Sequence, residues 1–193
     1  MKEQYTGMKG YFKIESFNST GKLLDSFEEK NLIVDVARQN MAKLMGGFTS
    51  GSSINKFVLG TDGYVNDVRT PKTIVNGLNK DLTELFSETN YEYFYEINFA
   101  GTSSSNGTRE VISETDRNVG FTESTVSVVQ LDRKITYVIT IPQTVANNAL
   151  PLTSADYTEA GFYCGDTLFN IKTFPVKVKD DDTILTITWT LEF

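Results

Sequence analysis

The clearest hydrophobic pattern in the chain lies at residues 183–193. Leu185, Ile187, Trp189, Leu191 and Phe193 alternate there with Ile184, Thr186, Thr188, Thr190 and Glu192. Period-two geometry puts the first set on one face, and Thr, Ile and Trp are good strand formers, so the segment predicts a core strand. Residues 91–99 alternate in the same way and predict a half-buried strand with Tyr91, Tyr93, Tyr95, Ile97 and Phe99 on one face. Residues 8–17 and 22–27 predict a hairpin about Asn18-Ser19-Thr20-Gly21, and residues 125–130 and 135–141 another across Leu131-Asp132-Arg133-Lys134. A third is expected between residues 174–179 and 183–193, across Asp180-Asp181-Asp182. Residues 54–60 and 109–113 add further strands.

Helical spacing is confined to one segment. After Asn31, residues 32–45 bring Ile33, Ala37, Met41, Leu44 and Met45 near one face, and Gly46-Gly47 supplies a stop. Residues 64–88 have weak periodicity and the breakers Pro71 and Gly77, which predicts an irregular excursion with Leu78, Leu82, Leu85 and Phe86 on a short helix or strand. Residues 100–108 are small and polar and read as a mobile, exposed tip. Many short strands with regular turns predict a mainly β chain: an antiparallel β-sandwich, jelly-roll or Ig-like, with one packed α-helix near residues 32–45. The expectation is a single domain over residues 1–193, and no internal repeat is visible.

Composition narrows the chemistry. The chain of 193 residues has 18 Lys and Arg against 25 Asp and Glu, a net charge of -7, no histidine and one cysteine. Histidine-based triads, Cys-His pairs and His-ligated zinc therefore have no residues to use. The negative charge argues against nucleic acid as a partner, because Lys172, Lys177 and Lys179 are offset by the adjacent Asp180-Asp181-Asp182. Apolar runs are too short for a membrane-spanning helix, and Met1-Lys2-Glu3-Gln4-Tyr5 leads into no signal-peptide core, so cytoplasmic synthesis is expected. The lone Cys164 follows Gly161-Phe162-Tyr163 and is expected to be a buried small hydrophobe.

Candidate sites are few. Glu92 with Glu96, Glu110 with Glu114, and the Asp180 to Asp182 run are the available carboxylate groupings; the first reads as a solvated strand face and the last as turn chemistry. No phosphate-binding glycine loop is present. Neither a catalytic residue, a cofactor nor a metal is expected, and the chain is read as non-enzymatic. The tyrosine row Tyr91, Tyr93 and Tyr95 is a candidate interface, or a platform on which a glycan stacks.

The segments Glu159-Ala160-Gly161-Phe162-Tyr163, residues 168–179 and Leu185-Thr186-Ile187-Thr188-Trp189-Thr190-Leu191-Glu192-Phe193 resemble the ending of small virion structural proteins of tailed bacteriophages. Residues 31–46 and the Gly60-Thr61-Asp62-Gly63 turn after residues 54–59 are similar to the helix and hairpin that precede it there. The resemblance covers about half of the chain. It implies an oligomeric subunit of the tail, collar, baseplate or fibre-attachment region, located in the virion, whose partners are further copies of itself and other virion proteins. The alternative it leaves open is a carbohydrate- or receptor-binding module of a fibre or capsid decoration protein, with a host glycan as ligand.

Overall fold

The structure, a computed structural model, describes residues 7–65, 70–74, 79–115, 122–147 and 154–193. Residues 1–5, Gly77 and Leu78 of the sequence reading lie outside them. With 54% strand and 10% helix the fold is mainly β. In chain order the elements are β1 (Lys9–Asn18), β2 (Leu23–Ile33), α1 (Asp35–Met45), β3 (Lys56–Gly60), β4 (Tyr64–Val65), β5 (Thr70–Pro71) and α2 (Phe86–Thr89). There follow β6 (Phe94–Phe99), β7 (Gly107–Arg109), β8 (Val111–Glu114), β9 (Thr125–Leu131), β10 (Lys134–Ile141), β11 (Ala155–Cys164), β12 (Thr167–Lys179) and β13 (Thr183–Glu192).

Apart from the small β4-β5 pair, the strands form one antiparallel sheet in the order β7-β9-β10-β13-β1-β2-β12-β11-β3-β6-β8. Its first and last members, β7 and β8, are separated in the chain by Glu110 alone, so the sheet curls until its two edges nearly meet in a barrel. The curl has a crease. β2 and β12 pair only through Ile33 with Asn170 and Leu32 with Ile171.

Local chemistry explains the turns. The Asn18 side chain accepts the backbone N–H groups of Thr20 and Lys22, at 3.2 and 2.8 Å, and Gly21 takes a φ of 80° that a side chain would resist. The β9-β10 hairpin turns through Asp132, at a φ of 51°, as the sequence expects. The hairpin expected across Asp180 to Asp182 does not form. That turn instead carries the chain from β12, which pairs with β11 and β2, to β13, which lies between β1 and β10. Both edges of β13 are occupied, leaving β12 no ladder there.

The helix also departs from expectation. Leu32 and Ile33 complete β2, Val34 is extended, and α1 begins at Asp35. Ala37 is the only fully buried residue of α1, whereas Leu44 and Met45 are 45% and 85% exposed. The helix rests on the barrel by its first turns and leaves its end in water. Residues 109–113 are not one strand but the break between β7 and β8.

The core lies between the inner faces of the curled sheet. Leu185, Ile187, Trp189 and Leu191 are buried as the alternation predicts. Trp189 packs edge-on against Phe12 at 4.7 Å and lies 5.0 Å from Phe162, which lies 4.7 Å from Tyr137. Each such side chain contributes about 2–3 kcal/mol of burial before its entropy cost.

Candidate functional site

The tyrosine row is dispersed by the fold. β6 starts only at Phe94, so Tyr91 and Tyr93 precede it in a turn, with Tyr91 at a φ of 57°. Tyr95 is fully buried, its hydroxyl 3.4 Å from Ser124 Oγ, and Tyr93 is half-buried against Tyr157. Tyr91 alone of the three is exposed, at 96%. The shared stacking face expected of Tyr91, Tyr93 and Tyr95 is therefore absent, because positive-φ backbone at Tyr91 breaks the period-two register before the strand begins.

The carboxylate groupings come apart too. Glu92 is in the same turn as Tyr91, off the strand that carries Glu96. Glu96 receives Asn98 Nδ2 at 2.6 Å and faces Lys56 at 3.5 Å. Glu110 is exposed, whereas Glu114 is buried and accepts the N–H groups of Glu123 and Ser124 at 3.0 and 2.5 Å. Asp180 caps its own turn by accepting Asp182 N–H at 3.1 Å and Thr183 Oγ1 at 2.6 Å; that hydroxyl bond holds its carboxyl below the usual carboxylate range. Among the described residues, no group of three or more His, Cys, Asp or Glu is placed to hold a metal ion, and no helix is long and apolar enough to cross a membrane.

Two of the buried ionisable side chains, Glu159 and Lys179, organise the interior. Glu159 of β11 is fully buried; its carboxylate accepts Phe86 N–H at 3.1 Å, Ser87 N–H at 2.7 Å and Ser87 Oγ at 2.5 Å. Burial pushes its pKa up while the Ser87 bonds oppose that shift. The Gly60 to Gly63 turn lies close against this cluster. A Cβ at Gly60 would come within 2.6 Å of the Glu159 carboxylate, and one at Gly63 within 2.4 Å of Thr158 O. Glycine at both ends of the turn is thus a packing requirement, and the irregular excursion is bolted to the barrel by polar contacts.

The second of these is Lys179, which closes one end of the barrel. Its ammonium donates to Gln143 O at 3.2 Å, Asn147 Oδ1 at 2.5 Å and Asp180 O at 2.9 Å, three acceptors for three donors. Burial lowers its pKa to about 8, with the charges of Asp180 and Asp181 pulling the other way. Val145 and Ala146 are buried beside it, and Tyr157 donates to Ala146 O at 2.8 Å.

The other end is open. A cavity of about 680 Å³ lies between α1, the tip at residues 101–106 and the ends of β9, β10 and β13. Met41, Leu44, Ile135, Phe169, Leu191 and Phe193 provide its apolar wall, and Phe193, expected in the core, is 41% exposed at its rim. The tip is not a loose loop. Asn106 Nδ2 donates to Gln130 O at 3.1 Å while Gln130 N–H returns a bond to Asn106 Oδ1 at 2.8 Å. On the opposite rim Asn40 makes the same reciprocal pair with Ser52, at 2.5 and 2.9 Å. These pairs pre-form the mouth.

Arg109, Tyr137 and Cys164 supply the cavity's chemistry. Arg109 donates from its guanidinium to Ser105 O at 3.1 Å and has no carboxylate within ion-pair distance among the described residues. Tyr137 is 8% exposed, and its hydroxyl has no hydrogen-bond partner among the described residues. Burial pushes that phenol up to about 12, with Arg109 opposing, so it stays a neutral donor. Burial likewise raises the Cys164 thiol to about 12, in keeping with an inert, non-nucleophilic side chain. The sequence reading missed Arg109, Glu159 and Lys179. Glu159 did carry a signal, a charge at the head of the apolar run Ala160-Gly161-Phe162-Tyr163-Cys164 of β11.

No known family model matches the chain, no curated protein matches its sequence, and no solved structure matches its fold.

Proposed function

We propose that the protein is a non-enzymatic structural component of a tailed-phage virion, an oligomeric subunit of the tail, collar, baseplate or fibre-attachment region made in the host cytoplasm. The observation that carries this reading is the open edge of β2. Residues 23–30 have no ladder on the side facing β12, and Leu23, Leu24 and, across the crease, Val178 are about half exposed. Such an edge accepts a strand from a neighbour, and rows of charge such as Asp25, Glu28, Glu29 and Lys30 restrict which neighbour fits. Ion pairs from Lys172 to Glu29, at 2.5 Å, and from Lys177 to Asp25 hold the crease at a fixed opening. We read the two halves of the sheet, packed through Phe12, Phe162 and Trp189 and creased at Leu32 and Ile33, as a sandwich in its working form.

Mass spectrometry of purified particles tests the reading. Detection at stoichiometric copy number is expected, and absence from the particle would overturn it. Light scattering on the isolated protein is expected to show an oligomer, lost when Leu24→Lys places a further charge on the edge. A receptor-binding role draws support from one observation, the exposed ring of Tyr91. It requires glycan binding that Tyr91→Ala removes without loss of fold.

A further inference from the structure

We propose that the cavity at the barrel mouth is a binding site for a small amphipathic monocarboxylate, its carboxylate on Arg109 and Tyr137 and its apolar body along α1 and the end of β13. The inference stands apart from the virion reading, which rests on the open edge of β2, a strand that does not line the cavity.

Volume comes first. At about 680 Å³ the cavity lies within the roughly 300–1,000 Å³ common to small-molecule sites, and its rims are fixed in advance by the two asparagine pairs. Charge comes next. The chain carries a net charge of -7, yet among the described residues no Asp or Glu lines the cavity and Arg109 is its one charged side chain. A guanidinium has five donors in a fork suited to a carboxylate, and Ser105 O takes only one. The Tyr137 side chain is 8% exposed, and its hydroxyl, which has no partner among the described residues, is left to a ligand or water in the cavity. As a neutral phenol it donates, which again selects an acceptor.

The lining is amphipathic: Met41, Leu44, Ile135, Phe169 and Leu191 form an apolar side that matches an alkyl or aryl body, while Asn40, Ser52, Ser53, residues 102–106 and Gln130 form a polar side. The Cys164 thiol, buried and neutral, adds to that apolar surface.

Calorimetric titration of the intact protein with decanoate, below its micelle-forming concentration, tests the site, with 1-decanol as the uncharged control. Saturable binding at one site per chain is expected, with decanol at least about tenfold weaker because it lacks the charge-assisted bonds. Arg109→Gln is expected to weaken decanoate about tenfold while leaving decanol unchanged, and Tyr137→Phe to weaken it several-fold. Leu44→Trp, a change at a half-exposed helix position that fills the cavity from its rim, is expected to abolish both. If Arg109→Gln fails to fold, Leu44→Trp and the decanol control still decide the matter. Absence of decanoate binding at millimolar concentration, equal affinity for decanol, or binding that survives Leu44→Trp would each overturn the proposal.

Discussion

The two ends of the barrel each place a cation against its interior and treat it in opposite ways. Lys179 is sealed, and its three donors meet three neutral acceptors supplied by residues 143–147 and 180. Arg109 stands at the mouth with one acceptor for five donors, beside a phenol that has none. A buried charge is tolerated only when its hydrogen bonds are complete, so the closed end is a structural plug. The mouth keeps its donors available because water, or a ligand, reaches them. Two residues of the same sign thus differ in kind, and the difference lies in how many acceptors the fold brings to each.

The largest test of this contrast is Lys179→Ala. It removes a buried side chain and leaves Gln143 O, Asn147 Oδ1 and Asp180 O without their donor, so a loss of about 3 kcal/mol is expected from urea unfolding. A loss below about 1 kcal/mol would mean that the closed end is hydrated like the mouth. The pH dependence is the next largest effect. The folded-state pKa of Lys179 is depressed from 10.5 to about 8, so between pH 8 and 9 the unfolded chain binds more protons and stability rises with pH. The gain is on the order of 1 kcal/mol over that unit and is expected to vanish in Lys179→Met. Above pH 9 an opposing term enters. The Cys164 thiol, held neutral by burial, ionises in the unfolded chain from its ordinary 9.0 upward, which favours unfolding.

At the mouth the expected effects are smaller. Asn106→Ala loses both reciprocal bonds to Gln130 in an exposed setting, and a cost of about 1 kcal/mol is expected, with faster amide exchange confined to residues 101–106 and 130. Arg109→Gln is expected to change stability by no more than about 0.5 kcal/mol by thermal melting. A cost near that of Lys179→Ala would make Arg109 a second plug and remove the distinction between the ends.

The parts of the fold legible in the sequence are those set by local pattern. Alternation places Leu185 to Leu191 in the core, and turn residues place the β1-β2 and β9-β10 hairpins. A turn signal reveals a reversal but not a partner, which is why Asp180 to Asp182 reads as a hairpin and instead passes from β12 to β13. The tyrosine row fails for a related reason: Tyr91, Tyr93 and Tyr95 alternate perfectly, yet contacts with Tyr157 and Ser124, distant in the chain, decide which of them are covered. The cavity is assembled from six separate stretches, with Arg109 in β7 just beyond the polar tip, and no local pattern encodes that meeting. Glu159 was accessible in principle, since a carboxylate at the head of the apolar run of β11 implies buried donors.

The position of β1 between β2 and β13 bears on how the chain is made. The β1-β2 hairpin is synthesised well before β13, yet the second edge of β1 is satisfied only by β13, with Lys9 facing Glu192. Until β13 emerges the nascent chain displays an unpaired edge on the strand that carries Phe12 and Ile14. Closure over so long a loop is slow, of the order of milliseconds to seconds for strand-dominated folds. Synthesis of many copies at once would therefore place its greatest risk of cross-pairing between chains in the interval before β13 emerges.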